Sequence, residues 1–386
     1  MINIQTASRL NAVQEYYFSM KLKEIAEMNA RGCQVINLGI GSPDLPAAPE
    51  VVEELGRVAA LPTAHSYQSY VGVPALREAF AAWYLRCYGV ELNATKEILP
   101  LLGSKEGIMH VSMAYLEAGD EVLIPNPGYP TYRSASLLAG ATLVEYELSE
   151  ANDWLPDLQA LEQRDLSKVK IMWINYPQMP TGALPTKAFF EKIITFGKRH
   201  NVLIINDNPY SFILNKQPMS LLEVEGAKEV ALELNSLSKS QNMAGWRVGM
   251  LAGNAEILSN VLRFKSNMDS GMFLPVQLAA VKALELPQSW YDNLNIIYKE
   301  RQQKVFQLLD LLGCIYDKNQ AGMFVWAKIP SHYATGYALS DEILYKSNVF
   351  ITPGGIFGSQ GDGYIRVSLC ASVEVFEKAI GRIENV

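Results

Sequence analysis

Seven times between residues 97 and 253 the chain passes through a short, nearly continuous apolar run that stops in turn residues. The runs are EILPLLG (97–103), DEVLIPN (120–126), ATLVEYEL (141–148), KVKIMWINYP (168–177), NVLIIND (201–207), EVALELNSLS (229–238) and RVGMLAG (247–253). Runs this short with little polar alternation suit strands covered on both faces. Helix-like segments such as KEGIMHVSMAYLEAG and TKAFFEKIITFGKRH fall between many of them. The pattern predicts an α/β fold, with a large domain built on a mostly parallel seven-stranded sheet covered by helices. Ligands of such sheets bind beyond the C-terminal ends of the strands. The residues that directly follow each run are therefore where chemistry is expected.

The flanks differ. Residues 13–32, VQEYYFSMKLKEIAEMNARG, have an amphipathic helical rhythm closed by Gly32. After about residue 285 comes the long helical stretch QSWYDNLNIIYKERQQKVFQLLDLLG, then FVWAKI, ALSDEILYKSN, YIRVSL and SVEVFEKAIGRIE. This mixture predicts a smaller α+β domain formed by residues 1–44, with an N-terminal arm, and 286–386, around a large domain of residues 45–285. Hydrophobic residues make up 49% and charged residues 19% of the 386, which suits large buried cores rather than disorder. A net charge of −7 gives nucleic acid or an anionic membrane nothing to bind. No apolar signal core opens the chain, and no run approaches a membrane span. Cys33, Cys87, Cys314 and Cys370 lie far apart without a CxxC pair, and the four histidines show no paired metal spacing. Free thiols in a reducing cytoplasm, with no structural metal, are expected.

The strand ends carry an unusual set. The first run passes into Gly103-Ser104-Lys105-Glu106-Gly107, which opens a helix. Free amides and the positive end of the helix dipole make this an anion site suited to one phosphate. The GxxxxGK[ST] spacing is missing, GIGSPD breaks off at Pro43, and Gly-Ser is also an ordinary helix start. The second run leads to NPGYPTY, where Tyr129 on a proline-braced turn offers a flat face. The fourth leads to NYPQMPTG, without a titrating group. The fifth ends in NDNPY, where Asp207 needs a partner if buried and Tyr210 can reach the same ligand. The sixth ends in SLSKSQNMAGWR, which gathers Ser236, Ser238, Lys239 and Arg247. One ligand answers all of these: a phosphate, an aromatic ring, a ring nitrogen for a carboxylate and a carbonyl for an amine. Pyridoxal phosphate has all four.

At this point the chain resembles a class I/II aminotransferase of the aspartate aminotransferase fold type. The likeness runs from NLGIGSPD through YQSYVGVPALREAF, GSKEG, NPGYPTY, PTGA, DNPY and SLSKSQNMAGWRVG to GYIRVS. It implies that Lys239 holds the cofactor covalently and later acts as general base. Ser236, Ser238, Arg247 and the amides of Gly103, Ser104 and Lys105 would bind the phosphate. Asp207 would face the pyridine nitrogen, Tyr210 the ring hydroxyl and Tyr129 the ring face. Tyr67 would reach the phosphate of a neighbouring subunit, making a homodimer with shared sites. Arg366 would pair with the substrate α-carboxylate, and Gly39 would let the backbone approach the substrate. Lys105 is a candidate contact for a distal carboxylate, a solvated helix lysine being the plain alternative. In one place the sequence departs from the family. Asparagine usually precedes Pro-Thr-Gly and donates to the ring oxygen, but Met179 stands here, with Gln178 before it as a possible substitute donor.

The resemblance implies a transaminase moving an amino group between an L-amino acid and a 2-oxo acid, with glutamate and 2-oxoglutarate as the default pair. A lyase, synthase or decarboxylase on the same scaffold is the alternative, since fold and cofactor do not settle the reaction. A cofactor-sensing regulator is a third reading, opposed by the full catalytic set. The sequence leaves the amino donor open among aspartate, aromatic residues, methionine and diaminopimelate-type compounds.

Overall fold

The computed structural model describes residue 2 and residues 4–384; residues 1, 3, 385 and 386, which belong to the expected smaller domain, lie outside the described residues. After the short strand β1 (Ile36–Asn37) come β2 (Ile98–Leu101), β3 (Glu121–Asn126), β4 (Thr142–Glu147), β5 (Val169–Ile174), β6 (Leu203–Asp207), β7 (Ala231–Ser236) and β8 (Gly249–Gly253). These last seven, one in each apolar run, form a single sheet in the order β2-β8-β7-β6-β5-β3-β4. All run the same way except β8, which is antiparallel to both β2 and β7. Adjacent residues of a strand serve opposite layers. Met172 and Ile174 pack with Phe190 and Ile193 of the helix Lys187–His200. Ile171 and Trp173 pack with Ile108 and Val111 of the helix Ser104–Tyr115. Because both faces are covered, the runs need apolar residues at every position, which is why they read as continuous.

Beyond the helix Gln288–Leu311 the chain adds β9 (Ile315–Tyr316), β10 (Phe324–Lys328), β11 (Val349–Phe350), β12 (Thr352–Pro353) and β13 (Tyr364–Ser368). Four of these make an antiparallel sheet ordered β12-β13-β10-β9. Leu308 and Leu309 of the long helix and Phe376 of the helix Val373–Glu384 share a core with Val325 and Val367. The N-terminal segment joins this part: β1 pairs in parallel with β11, and Asp44 makes a bidentate pair with Arg301 at 2.7 and 2.8 Å. The N-terminal helix is shorter than the rhythm of residues 13–32 suggests, spanning Tyr17–Ala30, with Gly32 beyond its end at φ +91°. No side chain caps its first turn, and Tyr16 stays extended. That places Tyr16 at the ligand end of the large sheet, as the site below shows.

Candidate active site

The parallel strands end along one edge, and because β8 is reversed it starts there. The segments after β2, β3, β5, β6 and β7 and before β8 converge on a cavity of about 660 Å³. Ser104, Lys105, Tyr129, Asp207 and Tyr210 line it, as do Ser236, Ser238, Lys239, Arg247 and Arg366. Gly103 sits just behind, at φ +87°, where a Cβ would lie 2.1 Å from Nη2 of Arg247. Only glycine allows both that backbone conformation and the close approach of the guanidinium.

At one end, the first amides of the helix Ser104–Tyr115 have no partner within the helix. The carboxylate of Glu106 is turned back, accepting from the Leu102 amide at 2.6 Å, which keeps its charge off this anion site. Ser236 donates to the Ser238 hydroxyl at 2.8 Å, and Arg247 reaches Ser238 at 3.4 Å and the Ala244 carbonyl at 2.9 Å. Hydroxyls, helix amides and one guanidinium thus face the same space.

In the middle stands Lys239, its amine donating to the Gly41 carbonyl at 2.6 Å. Burial pushes its pKa down to about 8, with Arg366 and Arg247 acting in the same direction. Across from it Asp207 is buried, and that burial pushes its pKa up to about 6 against the hydrogen bond from Tyr132. Tyr132 donates to Oδ2 at 2.8 Å, while Oδ1 has no partner. A second buried carboxylate makes a contrast. Glu233, one strand away, accepts from Tyr84, Asn206, Ser220 and the Leu221 amide at 2.7 to 3.0 Å. Glu233 is fully satisfied by the protein, whereas Asp207 keeps one oxygen for a ligand.

At the far end, Arg366 on β13 lies buried among rings, with Cζ 3.8 Å from the Phe324 centroid, 4.7 Å from Phe357 and 5.6 Å from Phe18. Nη2 donates to the Gly39 carbonyl at 2.8 Å, Nη1 meets only the Met179 thioether at 3.3 Å, and Nε is unpaired. Two donors of a buried guanidinium await a strong acceptor. Gly39 does not line the cavity. A Cβ there would clash with Phe350 and lie 2.7 Å from Thr352, so close packing asks for glycine, and its carbonyl accepts from Arg366. Gly41 lines the cavity instead. Tyr132, Asn175, Phe324, Phe357 and the arm residues Tyr16, Phe18 and Leu22 also line it, and sequence reasoning missed them all. For Tyr132 the signal was present: it follows Tyr129 by three residues in NPGYPTY.

The family model "Aminotransferase class I and II" matches residues 34–383. This chain belongs to that family. The aminotransferase is 42% identical over 382 residues to an LL-diaminopimelate aminotransferase of Dehalococcoides mccartyi, covering 98% of each chain. It is 38% identical to a solved structure of apo-BacF from Bacillus subtilis, with a TM-score of 0.95 and coverage of 100% and 98%. A Thermus thermophilus aspartate aminotransferase, 23% identical, shares the fold at a TM-score of 0.92 over 99% of this chain and 100% of its own. The family is dependent on pyridoxal phosphate, and the residues fit that cofactor. Asp207 Oδ1, without a partner, suits its ring nitrogen, and the hydroxyl, amide and guanidinium set suits its phosphate. The amine of Lys239 lies between them.

The Met179 departure can be placed. Gln178 is occupied elsewhere, donating to the Pro127 carbonyl at 3.1 Å and accepting from Thr181 at 2.6 and 2.9 Å. It does not restore the lost donor, and the sulfur of Met179 meets Arg366 at the cavity wall. A thioether donates nothing. Met179→Asn in the aminotransferase is therefore expected to lower the pH midpoint between the two absorbance bands of the lysine-bound cofactor, by about one unit or less. Gln178→Ala should leave it unmoved. A midpoint unchanged in both variants would show that this turn does not touch the ring oxygen.

Tyr67 stands apart, 91% exposed and outside its own chain's cavity. Its loop is anchored by the buried Lys265, which donates to the Tyr70 carbonyl at 3.0 Å and pairs with Asp269 at 2.6 Å. Glu106, His110 and Asp269 bring ligand atoms within 4.8 Å of one another here, the first two one helical turn apart and the third distant in sequence. With the Lys265 ammonium already on Asp269, the cluster reads as a buried anchor for the loop.

Proposed function

We propose that this aminotransferase moves the amino group between an L-amino acid and a 2-oxo acid using glutamate and 2-oxoglutarate as one of its pairs. One observation carries this reading: a single cavity holds an amine whose pKa is lowered to about 8, a carboxylate with a spare oxygen and a guanidinium with unspent donors. When bound, the cofactor supplies the electron sink that makes an amino acid's Cα–H bond acidic. Arg366 grips the α-carboxylate through its free donors and fixes the orientation of Cα. Lys239 takes the Cα proton on Nζ and returns it, a task suited to an amine whose pKa lies close to neutral. With the cofactor in place, Asp207 would hold the ring nitrogen's proton, Tyr210 would donate to the ring oxygen and Tyr129 would face the ring.

The relatives' name brings LL-diaminopimelate to this chain as a donor to test. The active unit is a cytoplasmic homodimer in which the exposed Tyr67 reaches the partner's phosphate, with a small domain of residues 1–44 and 286–386 against a large domain of 45–285. Exposing the loaded enzyme to glutamate alone tests the reaction: loss of the aldehyde absorbance, restored by 2-oxoglutarate, is expected. Decarboxylation or release of ammonia without that loss would favour a lyase.

Lys105 is exposed on the first turn of the helix Ser104–Tyr115 with its amine 4.9 Å from the Tyr16 ring, and partial desolvation followed by the nearby Arg247 lowers its pKa. It serves as the contact for a distal carboxylate. Lys105→Ala should raise KM for dicarboxylic substrates roughly tenfold while sparing neutral ones. An equal effect on both classes would make Lys105 a general cofactor contact instead.

A further inference from the structure

We infer that the second amino donor is a neutral L-amino acid with a large apolar side chain, aromatic or methionine-like, rather than a diamino dicarboxylate. The inference rests on the transaminase reading and names its substrate class. An amino acid held by Arg366 lies beside the wall around that guanidinium. Phe324, Phe357 and Phe18 surround Arg366, and the apolar Leu22 and Ile40 line the same cavity. Among the described residues, the charged side chains lining the cavity are Lys105, Lys239, Arg247 and Arg366 against the one anion Asp207. Asp207 is committed to Tyr132 on one oxygen and lies at the end of β6, not in this wall.

A diaminopimelate-type donor carries a second ammonium, and desolvating it without an anion is strongly unfavourable. A partner copy does not supply that anion from the loop of Tyr67. Residues 66–73, Ser-Tyr-Gln-Ser-Tyr-Val-Gly-Val, contain no carboxylate. In the neighbouring segment Asp269 is spent on Lys265 at 2.6 Å, with its side chain 8% exposed. Asp44 is held by Arg301. Glu15 accepts the hydroxyl of Ser19 at 2.7 Å and stands exposed to solvent. An apolar side chain needs none of these groups, and it gains from leaving water. Lys105 then serves the alternate partner, where a dicarboxylic 2-oxo acid needs a cation and no second anion.

The test is a single-turnover panel on the full-length, cofactor-loaded enzyme with L-phenylalanine, L-tyrosine, L-methionine, L-glutamate and LL-diaminopimelate. Loss of the aldehyde absorbance should proceed for the best neutral donor with a specificity constant at least ~100-fold above LL-diaminopimelate. Binding supplies a readout without turnover: 3-phenylpropanoate should raise the Tm of the loaded enzyme, and Leu22→Glu should abolish that rise. The same variant should narrow the gap between phenylalanine and LL-diaminopimelate by about tenfold. If glutamate reacts and LL-diaminopimelate equals or exceeds every neutral donor, the inference is wrong while the transaminase reading stands. If no donor reacts, glutamate included, both are wrong. A Glu15→Gln variant that loses LL-diaminopimelate activity alone would identify the missing anion and also overturn it.

Discussion

Lys239→Ala is expected to take up pyridoxal phosphate without linking to it and to lose turnover by on the order of 10²–10⁴-fold from the missing base alone. The lysine amine stands in the middle of the cavity, where one group can do both jobs. Its pKa is near 8 because burial disfavours the charged form, so near neutrality a useful fraction is unprotonated. The proposed phosphate contacts, the helix amides, Ser236, Ser238 and Arg247, are separate from this amine, so the variant should still retain the cofactor through gel filtration. Borohydride reduction followed by denaturation separates the two states. The wild type should keep the chromophore on the chain, and the variant should release it. Chromophore fixed to the variant chain, with near-normal turnover, would move the covalent link and the base to another residue. Losing the amine also strips the Gly41 carbonyl of its donor. A matched Tm in the two loaded enzymes would show that the loss of activity is chemical, not structural.

Arg366→Lys is expected to lower kcat/KM by about 10- to 150-fold for every amino acid, acidic or neutral. That range corresponds to one charge-assisted pair, worth about 1.5–3 kcal/mol. A lysine keeps the charge but not the planar fork, and it cannot stack on Phe324 at 3.8 Å as the guanidinium does. The Gly39 carbonyl also loses a donor fixed at 2.8 Å. The uniformity across donors is the informative part, since the α-carboxylate is common to all of them. A loss confined to dicarboxylic substrates would mean that Arg366 reads the distal end, and unchanged kinetics would place the α-carboxylate elsewhere.

The seven strands were legible because both faces of the sheet are covered, so burial imposes apolar residues at consecutive positions from Ile171 to Ile174. The strand ends were legible for the same reason: a charged or hydroxylated residue that interrupts such a run has to be there for something. Asp207, Ser236, Lys239 and Arg247 all announced themselves in this way. What stayed hidden depends on contacts between distant parts of the chain. Nothing near Gly41 says that its carbonyl meets an amine 198 positions away. Tyr16, Phe18 and Leu22 look like one side of an ordinary amphipathic helix. Glu233 sits in a buried strand with no local sign of the four donors that satisfy it. The turn before Pro-Thr-Gly was half legible. The sequence showed that a donor was missing, but only packing shows that Gln178 points toward Pro127 and Thr181.

The position of β8 has a consequence for how the protein assembles. β2 forms ladder hydrogen bonds with β8 alone, and the two are separated by about 150 residues of chain. On a ribosome the residues at 103–105 emerge long before their counterparts at 236–247, and the native arrangement needs β8 in place between β2 and β7. Closing so large a loop is slow, and it leaves strand edges open in the meantime. Residues 103–105 and 236–247 thus meet through the same seam that joins β2 to the rest of the sheet. The two sides of the cavity's anion-facing end are therefore joined only in the closed sheet.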